Sequence, residues 1–193
     1  MKKILFSIFY IVLTATYAFS ESKINPIYEG NSDAKIQLII YESLTCSHCA
    51  DFHNNVYPKV KENFVDKGFV KIEFRNFPLD MAALNASKIA HCNNDGKANI
   101  LHFLFENQEK WAKESKIENI NSKLKKILES QKYELDFEKC INNKEVEDYI
   151  LQDRIDAVKK FNLNATPTLI INNKKFDKPL NYKNIKKTIE KLI

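Results

Sequence analysis

Apolar residues along the chain fall into two kinds of run: short β-branched or aromatic stretches, and longer ones where they recur every three or four positions. Lys35 to Tyr41 is of the first kind and predicts a largely buried strand. Beyond it Cys49, Phe52, His53, Val56 and Val60 share one face of a helix, which Pro58 bends or divides. Phe69 to Phe74, introduced by Gly68, is the next strand. From Met81 to Tyr133 the pattern is helical, with helices over Met81 to Cys92, Ala98 to Trp111 and Ile120 to Leu128, and Asn93-Asn94-Asp95-Gly96 as a loop. Phe137 to Cys140 predicts a fourth short helix. Glu145 to Phe161 predicts a longer one with Val146, Tyr149, Ile150, Ile155 and Val158 available for burial. Thr168 to Ile171 is a strand, Asn172-Asn173-Lys174 a turn, and Lys175-Phe176 the start of a return strand. Asn181 to Ile193 closes the chain as a helix carrying Tyr182, Ile185, Ile189 and Leu192.

The order is βαβ, then helices only, then αββα. Neither end alone supplies a sheet with both faces covered, so the two ends are expected to build one α/β domain around an all-helical insertion. The boundaries are residues 21–78 for its first part, 79–143 for the insertion and 144–193 for the second part.

Residues 1–20 stand apart. Lys2 and Lys3 precede an uncharged run from Ile4 to Phe19, and small residues stand at Ala18 and Ser20, the pattern of a secretory signal peptide. Cleavage is expected after Ser20, with Ala18 as the near alternative and an uncleaved anchor as the other reading. The remaining 173 residues carry no second apolar stretch long enough to cross a bilayer. The formal charge of +5 includes the two leader lysines, and opposite charges interleave elsewhere, as in Lys110 to Glu118. No arginine-rich patch interleaved with aromatics is present, which argues against nucleic acid as a partner.

Export changes the meaning of the four cysteines, Cys46, Cys49, Cys92 and Cys140, because an oxidising compartment permits disulfides. Cys46-Ser47-His48-Cys49 follows a strand and opens a helix, so both sulfurs fit in a first helical turn. There the unpaired backbone N–H groups and the positive end of the helix favour a thiolate. Cys46 is the candidate nucleophile, Cys49 the resolving thiol, and His48 a stabiliser of the thiolate. An inert disulfide across so short a loop would stabilise little. Zinc on Cys46, Cys49 and His53 lacks a fourth ligand, and no metal or organic cofactor is required.

Ser43-Leu44-Thr45-Cys46-Ser47-His48-Cys49-Ala50 resembles the active-site segment of the DsbA-like branch of the thioredoxin superfamily, the bacterial exported thiol oxidoreductases. The resemblance continues through Phe74-Arg75-Asn76-Phe77-Pro78-Leu79-Asp80, past Ala82 and Ala90, and returns at Ala165-Thr166-Pro167-Thr168. It implies a thioredoxin-like fold with an inserted helical subdomain lying over the active-site end, and a cis peptide at Thr166-Pro167 facing the dithiol. It further implies oxidation of cysteines in unfolded or folding exported proteins in the periplasm, and reoxidation by a quinone-linked membrane protein. Analogy with the family favours a monomer. Ser47 stands where the family usually has proline and Ala165 where it often has glycine, leaving the redox potential and the loop geometry open.

Cys92 and Cys140 are read as a structural disulfide, with two separately buried thiols as the alternative. His91 and His102 are read as packed or surface helix residues, not ligands. Trp111 either caps the core of the insertion or edges a substrate groove. Met81 is one of only two methionines, too few for a copper-binding box, and the Asn85 and Asn164 glycosylation patterns are chance matches. The rival activities are disulfide reduction or isomerisation, and a periplasmic chaperone using the same fold as a binding surface.

Overall fold

The computed structural model describes residues 24–131 and 133–193; the leader and its cleavage point lie outside the described residues. Five strands form one sheet in the order β1-β3-β2-β4-β5, with β1 Ile27–Gly30, β2 Ile36–Glu42, β3 Val70–Asn76, β4 Thr168–Ile171 and β5 Lys174–Lys175. β2 and β3 run parallel, Leu38 opposite Ile72, while β1, β4 and β5 are each antiparallel to their neighbours. The parallel pair needs a crossover, and the helical stretch of residues 47–65 supplies it.

Alternation along the central strands divides the core. Leu38, Ile40, Ile72, Phe74, Leu169 and Ile171 share one face with Phe52, Val60 and Phe64 of the crossover and with Ile185 and Ile189 of the last helix. Ile39, Tyr41 and Ile170 point the other way, onto Ala157, Phe161 and Leu163. Both faces of the sheet are therefore covered, as a partly parallel sheet demands.

The crossover begins with α1, Ser47–Asp51, passes through a π-helical turn at Phe52–Val56, continues as α2, Tyr57–Val60, and ends in a second π turn at Lys61–Val65. Pro58 sits in the first turn of α2, where its missing N–H does least harm. The insertion comprises α3 Met81–Ala90, α4 Asn99–Glu106, α5 Gln108–Trp111, α6 Ile117–Ser130 and α7 Phe137–Ile141. Leu104, Trp111, Leu124, Leu128 and Phe137 form its interior, which merges with the core of the sheet domain. Trp111 is fully buried, its indole Nε1 donating to the Leu104 carbonyl at 2.9 Å, so it belongs to that interior and not to a groove edge. α8, Lys144–Phe161, leads back to the sheet, and α9, Tyr182–Ile189, closes the fold. Among the described residues no helix is long and apolar enough to cross a membrane.

Several elements depart from the sequence pattern. β1 has no counterpart in it, because four residues of Ile-Tyr-Glu-Gly offer too short an alternation. The helix expected over Ala98 to Trp111 breaks at Asn107, whose φ of −107° and ψ of 13° start a new turn. On α8 the buried stripe is Val146, Ile150, Asp153 and Ala157, at spacings of four, three and four. Ile155 lies half a turn from it, and both Ile155 and Val158 are exposed. Leu192 lies past the end of α9 and is exposed as well.

Cys92, just beyond α3, is joined to Cys140 in α7 with a Cα–Cα distance of 5.2 Å and a sequence separation of 48. Closing a loop of that length removes much chain entropy from the unfolded state. Replacing both cysteines by alanine is therefore expected to lower stability by about 3–4 kcal/mol in urea unfolding of the protein with Cys46 and Cys49 kept reduced. Gly30, at the end of β1, has φ of +99°, and a Cβ there would stand 2.4 Å from the Val70 carbonyl oxygen. Gly30→Ala is expected to cost about 2 kcal/mol or more by the same measurement, through strain and loss of the β1–β3 pairing.

Candidate active site

Two separated sequence motifs meet where β2 ends. The Phe77 N–H donates to the Glu42 carbonyl at 2.7 Å, the Leu79 N–H to Ser43 Oγ at 3.3 Å, and the Thr45 hydroxyl to Asp80 at 2.9 Å. Asp80 also accepts from the Ala83 N–H at 2.7 Å, capping α3. The loop of residues 43–46 is thus fastened to the loop after β3, and the start of α3 is fixed by the same carboxylate.

Cys46 occupies the cap position of α1 with extended backbone, φ −79° and ψ 119°, and its carbonyl accepts from Cys49 and Ala50 at 3.1 Å. Both Cys46 and Cys49 are free thiols; Cys46 is partly exposed and Cys49 is 0% exposed. Their proton affinities are driven apart. A hydrogen bond from the Cys49 thiol, opposed by partial burial but helped by Thr166 and the backbone N–H groups of Cys49 and His48, lowers the Cys46 pKa from 9.0 to about 5. Burial, the hydrogen bond it gives to Cys46 and the negative charge of Glu42 push Cys49 far the other way.

His48 is exposed, and what the structure shows it giving to the sulfur is its backbone N–H. The Thr166-Pro167 peptide is cis, and the Cys46 thiol faces the Thr166 carbonyl at 3.5 Å across 120 residues of sequence. That carbonyl lies at the mouth of the site beside the partly exposed sulfur.

Two groups escaped the sequence reading. Gln108, at the start of α5, is buried and its Nε2 donates to the carbonyls of Leu44 at 2.9 Å and Cys46 at 3.0 Å. It holds the dithiol loop from the insertion side, and its polar character beside Trp111 was the one signal available. The second is the side chain of Glu42, at the end of β2. Its Oε2 meets His53 Nε2 at 2.7 Å in a pair 3% and 2% exposed, and its Oε1 is buried without a partner among the described residues. His53 is thus buried and paired with Glu42; among the described residues no cluster of three or more His, Cys, Asp or Glu is placed to hold a metal ion.

The thioredoxin family model matches residues 22–191. The chain belongs to the thioredoxin superfamily, in its DsbA-like branch. It is 32% identical to Wolbachia pipientis alpha-DsbA1, covering 87% of this chain and 90% of that one, with a TM-score of 0.77. It is 28% identical to disulfide bond formation protein D of Bacillus subtilis over 84% of this chain and 74% of that protein. A provisionally named protein-disulfide oxidoreductase of Rickettsia bellii is 25% identical over 77% of this chain, which spans only 57% of that relative's length. The thioredoxin-like fold with its helical insertion, read from the sequence motifs of this DsbA-like branch, stands on these matches.

A thiolate at Cys46 and a thiol at Cys49 predict a one-sided reaction with iodoacetamide. In the reduced protein, labelling is expected at Cys46 first, rising with pH through a midpoint near about 5, where an ordinary thiol would rise near 9.0. Peptide mapping that finds Cys49 labelled first, or a midpoint near 9.0, contradicts this assignment. The sign for stability follows. The depressed Cys46 pKa stabilises the folded, reduced protein fully above the unfolded value of 9.0, and that contribution is lost as pH falls through about 5.

Proposed function

We propose that the chain is a thiol-disulfide oxidoreductase that introduces disulfide bonds into exported proteins. The observation that carries this reading is the split between the two thiols: Cys46 held as a thiolate near neutral pH, Cys49 kept protonated by burial. A stabilised Cys46 thiolate favours the dithiol over the disulfide, so the oxidised protein gives its disulfide away.

In the forward exchange, a substrate thiolate attacks Cys46 of the Cys46–Cys49 disulfide, and the electron pair of the broken bond leaves on Cys49, which takes up a proton. A second substrate thiolate then attacks the substrate sulfur of the mixed disulfide and expels Cys46 as a thiolate. Substrate is oxidised by two electrons and the Cys46–Cys49 pair is reduced by two, so no cofactor enters. The Thr166 carbonyl beside cis Pro167 offers an acceptor to the backbone of an extended substrate segment. Cysteine-bearing unfolded chains are the substrate class, the periplasm is the compartment, and a quinone-linked membrane protein is the reoxidant; the working form is a monomer.

The reduction potential of the Cys46–Cys49 couple tests the direction. With Cys92–Cys140 tracked separately by mass, glutathione exchange is expected to place it on the order of −120 mV, the region of DsbA itself, and a value near about −270 mV reverses the assignment to a reductant. Cys46→Ala is expected to abolish oxidation of a reduced, unfolded secretory protein. Oxidation or folding assistance surviving loss of both Cys46 and Cys49 would favour a chaperone on this fold.

A further inference from the structure

Charge is unevenly placed along the chain. Residues 172–193 hold seven lysines, no arginine and two acids, Asp177 and Glu190. Residues 1–171 hold 23 basic and 23 acidic side chains, so the whole formal charge of +5 belongs to β5, α9 and the loops around them. These elements are neighbours in space. β5 is an edge strand paired only with β4, and α9 covers one face of the same sheet, its Ile185 and Ile189 buried in one core with Leu169 and Ile171 of β4.

All seven lysines are exposed. Lys183 and Lys187 stand at i and i+4 on the side of α9 opposite Ile185 and Ile189, with Lys186 beside them and Lys191 just past the helix end. Lys174 and Lys175 lie on the free edge of the sheet, and Lys178 in the loop between β5 and α9. Among the described residues these seven make one ion pair, Lys186 to Glu190 at 3.7 Å. Elsewhere Lys61, Lys88, Lys123 and Lys144 each meet a carboxylate.

Folding alone does not call for this arrangement. Lysines on an edge strand deter pairing with another chain, which accounts for Lys174 and Lys175. Lys186 and Lys187 in the last turn of α9 suit the negative end of the helix dipole. Lys183 is in the first turn, where that dipole disfavours a cation, and it repels Lys187 one turn away. One end of the lysine strip is also apolar. Phe69, Leu192 and Ile193 are exposed and line one hollow with Ile36 and Lys35, where β2 and β3 begin. The Asn172 N–H donates to the Gln37 carbonyl, which sets the turn before Lys174 at that same end.

We propose that the β5–α9 face docks the protein on an anionic bilayer, its lysines meeting lipid phosphates while Phe69, Leu192 and Ile193 enter the interfacial layer. Two observations choose a bilayer over an acidic protein. The basic side chains are all lysine, a flexible and strongly hydrated point charge that suits a diffuse layer of phosphates. Protein interfaces favour arginine, whose planar fork fits carboxylates, and are depleted in lysine. Exposed apolar residues beside the lysines supply the second component of interfacial binding. β5 runs from the turn beside Gln37 back toward the dithiol end, and α9 returns to the hollow. A bilayer lying along α9 therefore runs alongside the sheet and leaves the Cys46 end open at the side.

Docking does not depend on Cys46–Cys49 exchange, and its failure leaves that reading untouched. The full chain is mixed with vesicles of phosphatidylcholine alone, or of phosphatidylcholine and phosphatidylglycerol in equal parts, and sedimented. Binding to the anionic vesicles is expected to fall steeply as salt rises from about 0.1 M to about 1 M. Lys183→Gln, Lys187→Gln and Lys191→Gln together are expected to weaken it about 100-fold, at about fivefold per lysine near the surface. Lys125→Gln, Lys126→Gln and Lys139→Gln on the insertion remove the same charge and are expected to weaken it less than about threefold. Equal weakening by the two triples overturns the docking face. Salt-sensitive binding to polyglutamate, with none to either vesicle, overturns it in favour of an acidic protein partner. An inserted leader would carry the chain to both vesicles alike, and acetylation of the unmodified protein with mass mapping then decides. Anionic vesicles are expected to protect Lys183, Lys187 and Lys191 but not Lys125 or Lys126; uniform labelling overturns the proposal.

Discussion

Two sulfurs within one helical turn must hold their protons with very different strengths, and the architecture around them is arranged to enforce that difference. Cys46 sits at the open end of α1, in reach of backbone N–H groups and partly in solvent; Cys49, three residues on, points into the core between the crossover and the sheet. A helix start offers both environments at once, because its first residue precedes the coil while the fourth lies on the inward face. That contrast survives only if the turn is rigid. β2 delivers Glu42 to Thr45 to the loop after β3, Gln108 holds the carbonyls of Leu44 and Cys46, and the cis peptide brings Thr166 against Cys46 from the far end of the chain.

Gln108 shows why the helical insertion belongs to the site and is not an appendage. α5 is a single short turn, and its position depends on the break at Asn107 and on Trp111, buried one turn later. The interior around Trp111 includes Leu124 and Phe137, and α7 is tied to the end of α3 by the Cys92–Cys140 disulfide. α3 in turn begins at Asp80, whose carboxylate also holds Thr45. A continuous set of contacts therefore runs from the disulfide through the insertion to the loop that carries Cys46.

Much of this was legible in the sequence because local signals and tertiary demands agree. The central strands, the long crossover, β4 and the first half of α8 carry full-length patterns, and Cys46-Ser47-His48-Cys49 announces its chemistry by spacing and position. Other features depend on partners far away in sequence. β1 is too short to read alone and exists because β3 offers it an edge. The inward stripe of α8 passes through Asp153, which takes the Asn76 backbone N–H at 3.1 Å and is buried where an apolar residue was the natural expectation. His53 and His102 lie 49 positions apart, each unremarkable on an apolar helix face, and only folding shows that their ring nitrogens meet at 3.0 Å. Gln108 and Glu42 are invisible for the same reason, since a polar residue in an amphipathic pattern reads as surface.

The proton affinity of Cys49 bears on reaction direction as strongly as that of Cys46. When a substrate is attached to Cys46, two thiols compete to release it: Cys49, which would restore the original disulfide and return the substrate reduced, and a second thiol of the substrate, which completes the transfer. Attack requires a thiolate. Burial and the Glu42 charge keep Cys49 protonated, so this escape is slow unless a base takes its proton, whereas a substrate thiol in solvent ionises freely. The charge of this buried carboxylate thus adds to burial in hindering Cys49 from returning. On the proposed reading, the split between the thiols favours donation twice, through the stability of the Cys46 thiolate and through the reluctance of Cys49 to reclaim the bond.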